Sequence, residues 1–268
     1  MIPYQFEYTR AKSLGDAQAM LAKNPDAKLL AGGQTLIPTM KMRLANPPTL
    51  IDISKLAELS FIRASGDTLT IGAATTHGAV AASADVRRLI PALAHLASEI
   101  GDPAVRAMGT IGGSLANNDP AADYPAAVLA LGATIKTTKR EIKADDFFTG
   151  MFSTALEDGE IITEVSFRKP QRAGYQKFPN PASRYPMAGV FVAQTAGGVR
   201  VAVTGAGPGV FRVEAMEAAL AKSFTPDAVA NIKVPSGDLN SDIHATAEYR
   251  AHLVTVMAKR AVAHALEA

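Results

Sequence analysis

A chain of 268 residues, 48% hydrophobic and 19% charged, can bury a substantial core and is long enough for two domains, which excludes disorder as its dominant state. Its formal net charge of +2, with basic residues scattered along the chain, argues against nucleic acid as the main partner. The absence of cysteine rules out disulfides, thiolate-held iron–sulfur clusters, a thiol nucleophile and a cysteine-based zinc site in this chain, and it fits a reducing compartment.

No apolar run approaches the ~20 residues of a membrane helix. The start, Met1-Ile2-Pro3-Tyr4-Gln5-Phe6-Glu7, lacks the basic and apolar regions of a signal peptide. Both features predict a soluble, cytoplasmic protein. Ser13 reads as an N-cap with Asp16 as its capping-box partner, and Leu14, Ala17 and Leu21 share one face of the following helix. Lys28 to Ala31 reads as a short strand, and further strands are expected at Thr49–Ile53 and Leu69–Ala73. Leu89, Leu93, Leu96 and Ile100 recur at helical spacing, which predicts one amphipathic helix from Asp85 to Ile100, stopped by Gly101-Asp102-Pro103. A small helix around Ala122 to Leu131 and strands at Thr134–Thr138 and Glu160–Phe167 come next. The polar, basic stretch Arg168-Lys169-Pro170-Gln171-Arg172-Ala173-Gly174 marks a domain boundary, giving domains 1–170 and 171–268. Beyond it, strands are expected at Met187–Gln194 and Val199–Thr204. A polar loop at Pro235–Asp242 then leads to a long helix over about Ala245–Leu266, with Leu253, Met257, Ala261 and Ala265 on one stripe.

Two glycine-rich turns carry the chemistry. The first is Ala31-Gly32-Gly33-Gln34-Thr35-Leu36; the second is Gly109-Thr110-Ile111-Gly112-Gly113-Ser114-Leu115-Ala116-Asn117-Asn118-Asp119-Pro120. Adjacent glycines let backbone amides converge on an anion with no side chain in the way. Two such nests suit a ligand with two phosphates, such as a dinucleotide cofactor; either one alone is equally an ordinary β-turn. A third pattern, Val199 to Thr204 running into Gly205-Ala206-Gly207-Pro208-Gly209-Val210, resembles the strand and turn of a nicotinamide-binding Rossmann unit. Val210 stands where the third fingerprint glycine belongs, and Pro208 removes an amide donor. The chain beyond is too short for a doubly wound sheet, so a structural turn is expected there. An NAD(P)-binding dehydrogenase using Gly205–Gly209 is the rival reading. His77, His95 and the tail histidines show no metal-ligand spacing and read as structural or surface residues. No nucleophile, general base or metal site is expected.

The two extended glycine motifs together resemble the flavoprotein subunit of the molybdenum hydroxylases, the xanthine dehydrogenase and aerobic carbon monoxide dehydrogenase family. The resemblance continues through Leu36-Ile37-Pro38-Thr39-Met40-Lys41, Asn118-Asp119-Pro120-Ala121-Ala122-Asp123-Tyr124-Pro125 and Asp242-Ile243-His244-Ala245-Thr246-Ala247-Glu248-Tyr249-Arg250, spanning almost the whole chain. It implies an α+β fold: a two-lobed FAD-binding domain of the vanillyl-alcohol oxidase/PCMH type, then a C-terminal domain of antiparallel strands and helices. It implies FAD as cofactor, with a small 2Fe-2S subunit and a large molybdopterin subunit as partners in a dimer of heterotrimers. Substrate would be hydroxylated at molybdenum, and electrons would pass through the clusters to FAD and on to an external acceptor. The missing cysteines suit a chain that carries flavin alone. A scaffold subunit that has kept this fold and lost FAD is a further alternative.

The same resemblance assigns residues. Ala31, Gly32, Gly33, Gln34 and Thr35 would place amides and a hydroxyl around the FAD pyrophosphate, and Thr110, Ile111, Gly112, Gly113 and Ser114 would form the second cradle, with Asn118 in the same motif. Asp123 matches a carboxylate that contacts the sugar part of the cofactor; its plainer role is a helix N-cap. Ile162 matches a backbone contact to FAD or is simply a core strand residue. Lys177 matches a lysine near the flavin ring, where a cation would favour reduced anionic flavin; otherwise it is a surface charge. Tyr185 resembles an aromatic covering one face of the isoalloxazine, or else packs at the domain interface. Two departures stand out. Arg106-Ala107-Met108 replaces the family's common Arg-Asn-Arg, and Gln34 occupies a position often held by His, so nothing there titrates near neutrality.

Overall fold

The computed structural model describes residues 2–267; Met1 and Ala268, the outer ends of the two expected domains, lie outside them. The fold is α+β, and three sheets of three or more strands follow one another along the chain. In the first, parallel sheet, Glu7–Arg10 and Lys28–Leu30 flank Thr49–Asp52. The second is antiparallel in the order Ile62–Ser65, Thr68–Gly72, Ile162–Arg168, Thr134–Thr137, Glu141–Lys143. The third, also antiparallel, runs Arg172–Pro179, Pro186–Thr195, Gly198–Thr204, Phe211–Arg212. Among the described residues no helix is long and apolar enough to cross a membrane.

The strand Pro186–Thr195 shows why its sequence is an unbroken apolar run. Successive strand residues point to opposite faces, and here both faces are covered. Phe191 and Ala193 join the core that contains Leu93 and Val128 of the helices Pro91–Glu99 and Tyr124–Ala130. Ala188, Val190 and Val192 join a second core with Leu253, Met257 and Ala261 of the long helix Ala247–Glu267. This sheet is thereby wedged between the front part of the chain and the terminal helix.

Several local expectations change. Ser13 does cap the helix Leu14–Lys23, accepting from the Asp16 amide at 3.1 Å; the Asp16 carboxylate, however, accepts from the Lys12 amide at 2.8 Å and not from that of Ser13. The single helix expected over Asp85–Ile100 is two, Ala84–Leu89 and Pro91–Glu99. Proline disfavours helical backbone in the residue before it, so Ile90 leaves the helix (φ -143°, ψ 73°) and Pro91 opens a new one. Arg172-Ala173-Gly174, the end of the expected boundary stretch, opens the eight-residue strand Arg172–Pro179. The second glycine segment is the helix Ile111–Asn117 and not a turn: the Thr110 hydroxyl accepts from the Gly113 amide at 3.1 Å and caps it.

The Rossmann-like pattern is a structural turn. Its strand, Gly198–Thr204, is antiparallel to both neighbours, so the parallel β-α-β context that gives the motif its meaning is missing. Gly205 has φ +79°, and a Cβ there would overlap the Pro186 carbonyl. The turn's polar groups serve the fold: Gly205 donates to the Pro120 carbonyl at 2.8 Å, and its own carbonyl accepts from buried Arg250 at 3.1 Å. The Thr204 hydroxyl donates to the Ala122 carbonyl at 2.6 Å, so this turn supports the segment that leads into Asp123.

Candidate functional site

The two glycine motifs, distant in sequence, touch. Gly32 lies so close to the backbone of Met108 and Gly109 that a Cβ on it would overlap the Met108 carbonyl. Gly33 takes φ +70°, a conformation glycine adopts without strain, and the chain then enters the helix Leu36–Lys41. Among the described residues, the main-chain N–H groups of Gly32, Gly33, Gln34 and Thr35 donate to no protein acceptor. Four unsatisfied amides in one short loop are a ready donor set for an anion. The second motif is different. Its Ile111 and Gly112 amides donate to the Thr75 and Ala73 carbonyls at 3.1 and 2.8 Å, and its Gly113 amide to the Thr110 hydroxyl. The wall it provides is therefore less a cradle of free nitrogens than a tightly packed surface carrying the Ser114 side chain.

Both motifs line one cleft of ≈ 1260 Å³, larger than the ~300–1,000 Å³ of common small-molecule pockets. Ala31, Gly32, Gly33, Gln34 and Thr35 form one wall; Thr110, Gly112, Gly113 and Ser114 form the facing one. Asp123, Ile162 and Tyr185 reach it from three further segments. Ile162 combines both roles weighed for it, being a core residue of the five-stranded sheet that also borders the cleft. Tyr185 sits on the loop after Arg172–Pro179, with its hydroxyl accepting from the Asn180 amide group at 3.1 Å.

Three expected residues lie elsewhere. The Ile111 side chain is fully buried in the core. Asn118 is the left-handed C-cap of its helix (φ 42°), and its amide group donates to the Gly150 and Ser153 carbonyls at 2.8 and 2.7 Å, latching the hairpin Phe148–Thr154. Lys177 is neither on the surface nor on the cleft wall. Its side chain is 3% exposed, and its Nζ donates to Asp123 Oδ1 at 2.9 Å and to the Glu99 carbonyl at 2.8 Å. Asp123 does not cap its helix; its backbone is already helical and its side chain makes no capping bond. Burial pushes its carboxyl above the ordinary range, opposed by the Lys177 ammonium and by a hydrogen bond from the Tyr175 hydroxyl.

Tyr175 escapes the sequence reading, and His77 reads there only as a structural or surface residue. Tyr175 belongs to the Asp123 network, and the Tyr-x-Lys spacing on a strand, which places both side chains on one face, was the available signal. His77 lines the cleft and is buried, and among the described residues neither its Nδ1 nor the neighbouring Tyr124 hydroxyl has a hydrogen-bond partner. Burial, with the Arg106 guanidinium, lowers His77 to about 4, so the ring is neutral near pH 7. An unfolded histidine titrates near ~6.5. The stability His77 confers is thus complete above that value and is lost as the pH falls through about 4. Wild type should lose about 3 kcal/mol from this group between pH 7 and 4, and His77→Gln should lack that component; urea midpoints across the range measure it.

Residues 4–170 match the family described as the FAD binding domain in molybdopterin dehydrogenase. Over its length the chain is 37% identical to the carbon monoxide dehydrogenase medium chain of Hydrogenophaga pseudoflava, covering 98% of this chain and 97% of that one. It is 36% identical to the glyceraldehyde dehydrogenase medium chain of Sulfolobus acidocaldarius, covering 97% and 98%. Its fold superposes on a solved carbon monoxide dehydrogenase from Hydrogenophaga pseudoflava, one lacking the Mo-pyranopterin moiety of the molybdenum cofactor, with TM-score 0.89, 38% identity and coverage of 100% and 99%.

Proposed function

Since the chain belongs to the FAD-binding family of the molybdopterin dehydrogenases and is an FAD-binding oxidoreductase subunit, we propose that it relays electrons from the 2Fe-2S clusters of a small partner subunit to an external acceptor. A large molybdopterin subunit would hydroxylate the substrate, and the complex would be a dimer of such heterotrimers in the cytoplasm. The relatives' designation as medium chains supports a division of labour among several subunits. The lack of cysteine supports it too, because any clusters must then be carried by another chain. Residues 1–170 would form the FAD-binding domain and 171–268 the domain that closes over it.

FAD, when bound, supplies a carrier that accepts electrons singly and releases them in pairs. The residues present fit it. The free amides of Gly32, Gly33, Gln34 and Thr35 would hold the diphosphate, the observation that carries this reading. Ser114 would face it from the opposite wall, Asp123 would accept hydrogen bonds from sugar hydroxyls, and Tyr185 would cover the flavin and limit access by water. Neutral His77 would supply an uncharged polar wall.

The test is the visible spectrum of the chain purified with its co-expressed partners, followed by reduction through the clusters. Flavin bands at roughly 370 and 450 nm that bleach when substrate is added to the assembled complex are the expected result. A fully assembled complex that releases no FAD on denaturation would favour the scaffold reading. Nicotinamide binding to a flavin-free chain would favour the dehydrogenase reading.

A further inference from the structure

We infer that Tyr175 is a positioning residue for the cofactor: its hydroxyl holds the Asp123 carboxylate by one oxygen and leaves the other for a hydroxyl donor in the cleft. The inference rests on the reading of that cleft as the FAD site. Tyr175 is fully buried, and its hydroxyl donates to Asp123 Oδ1 at 2.6 Å. This distance is typical of the strong, charge-assisted O–H···O⁻ class. Lys177, two residues along the same strand face, donates to the same oxygen at 2.9 Å. Among the described residues nothing donates to Oδ2, while Asp123 itself lines the cleft. Two protein donors on one oxygen orient the carboxylate; the Lys177 charge alone would not require that geometry.

The hydroxyl is itself held in place. Gly189 lies beneath it, where a Cβ would stand 2.8 Å from the Tyr175 oxygen, and the ring packs against Phe191. Tyr175 and Lys177 belong to the four-stranded sheet, whereas Asp123 precedes the helix Tyr124–Ala130. The acceptor that faces the cleft is therefore completed only when this sheet is docked on the front part of the chain. Cofactor affinity and docking of the sheet are coupled through one carboxylate.

The experiment is fluorescence titration of the full-length apoprotein with FAD, for wild type, Tyr175→Phe, Asp123→Asn and the double variant, between about pH 8 and pH 6. The groups facing Asp123 are Lys177 and Tyr175 of the sheet, Tyr124 beside it and Glu99 at the end of the helix Pro91–Glu99. Tyr175→Phe should weaken FAD binding about tenfold or more. Relative to wild type, its affinity should fall further as the pH is lowered, because the hydroxyl that opposes protonation of Asp123 is gone. A mere packing defect would weaken binding equally at every pH. Asp123→Asn should weaken binding to a similar degree without the pH slope, and the double variant should bind no worse than either single one. Tyr175→Phe with wild-type affinity and the wild-type pH profile overturns the inference. So does Asp123→Asn with wild-type affinity, which stands as a test even where Tyr175→Phe does not fold. If Gly32→Ala also leaves FAD binding intact, the reading of the cleft itself has failed; if Gly32→Ala abolishes binding while Tyr175→Phe does not, only the role of Tyr175 falls.

Discussion

Gly32→Ala is expected to weaken FAD binding at least about tenfold, an affinity loss of at least ~1.4 kcal/mol. The added Cβ would overlap the Met108 carbonyl, and its next neighbours, Met108 C at 2.7 Å and Gly109 Cα at 2.8 Å, are also backbone. No rotamer change relieves such a clash, so the loop carrying the free amides must move off the second motif. Overpacking of this kind costs about 1–3 kcal/mol in folding, and it falls directly on the geometry that brings the two walls together. Gly237→Ala is the control, since a Cβ there meets nothing within 4 Å. FAD content is read from absorbance of the purified chain against protein concentration. Gly32→Ala with full FAD content and unchanged affinity would mean that contact between the loops is not needed for binding, and the reading of the cleft as the FAD site would fail with it.

Much of the framework is legible in the residues because local physics dominates there. Leu69 and Ile71 alternate inward, and the glycine motifs announce close backbone approach. What escapes reading depends on partners distant in sequence. The second motif reads as a nest of free amides, yet Ala73 and Thr75, in the turn after the strand Thr68–Gly72 far upstream, accept two of them. Lys177 reads as either a flavin neighbour or a surface charge; it is a buried ion pair because Asp123 comes to it from another part of the fold. The strand Arg172–Pro179 hides behind a polar, proline-flanked opening, and its pairing with Pro186–Thr195 supplies the hydrogen bonds its composition does not advertise. The break at Ile90 was, by contrast, readable: Pro91 interrupts the helical period in plain sight.

Lys177→Met is expected to cost about 3–5 kcal/mol of folding stability. The methionine keeps the length of the side chain and removes the ammonium that neutralises Asp123 and satisfies the Glu99 carbonyl. Lys177 and Asp123 are 3% and 5% exposed, so solvent cannot take over either function. Removing one partner of a buried pair leaves an uncompensated charge, whereas removing both does not. Lys177→Met combined with Asp123→Asn should therefore regain most of the lost stability while FAD binding stays weak, because the carboxylate acceptor is gone. The pH dependence has a definite sign. Burial already raises the Asp123 carboxyl, and loss of Lys177 raises it further. A carboxyl with a folded pKa above its unfolded value favours folding when protonated. The Lys177→Met deficit should thus be largest at neutral pH and shrink as the pH falls through the raised value. Denaturant midpoints at successive pH values measure this. A deficit under about 1 kcal/mol, the scale of solvated surface pairs, and insensitive to pH, would mean that Asp123 and Lys177 do not depend on each other for charge compensation.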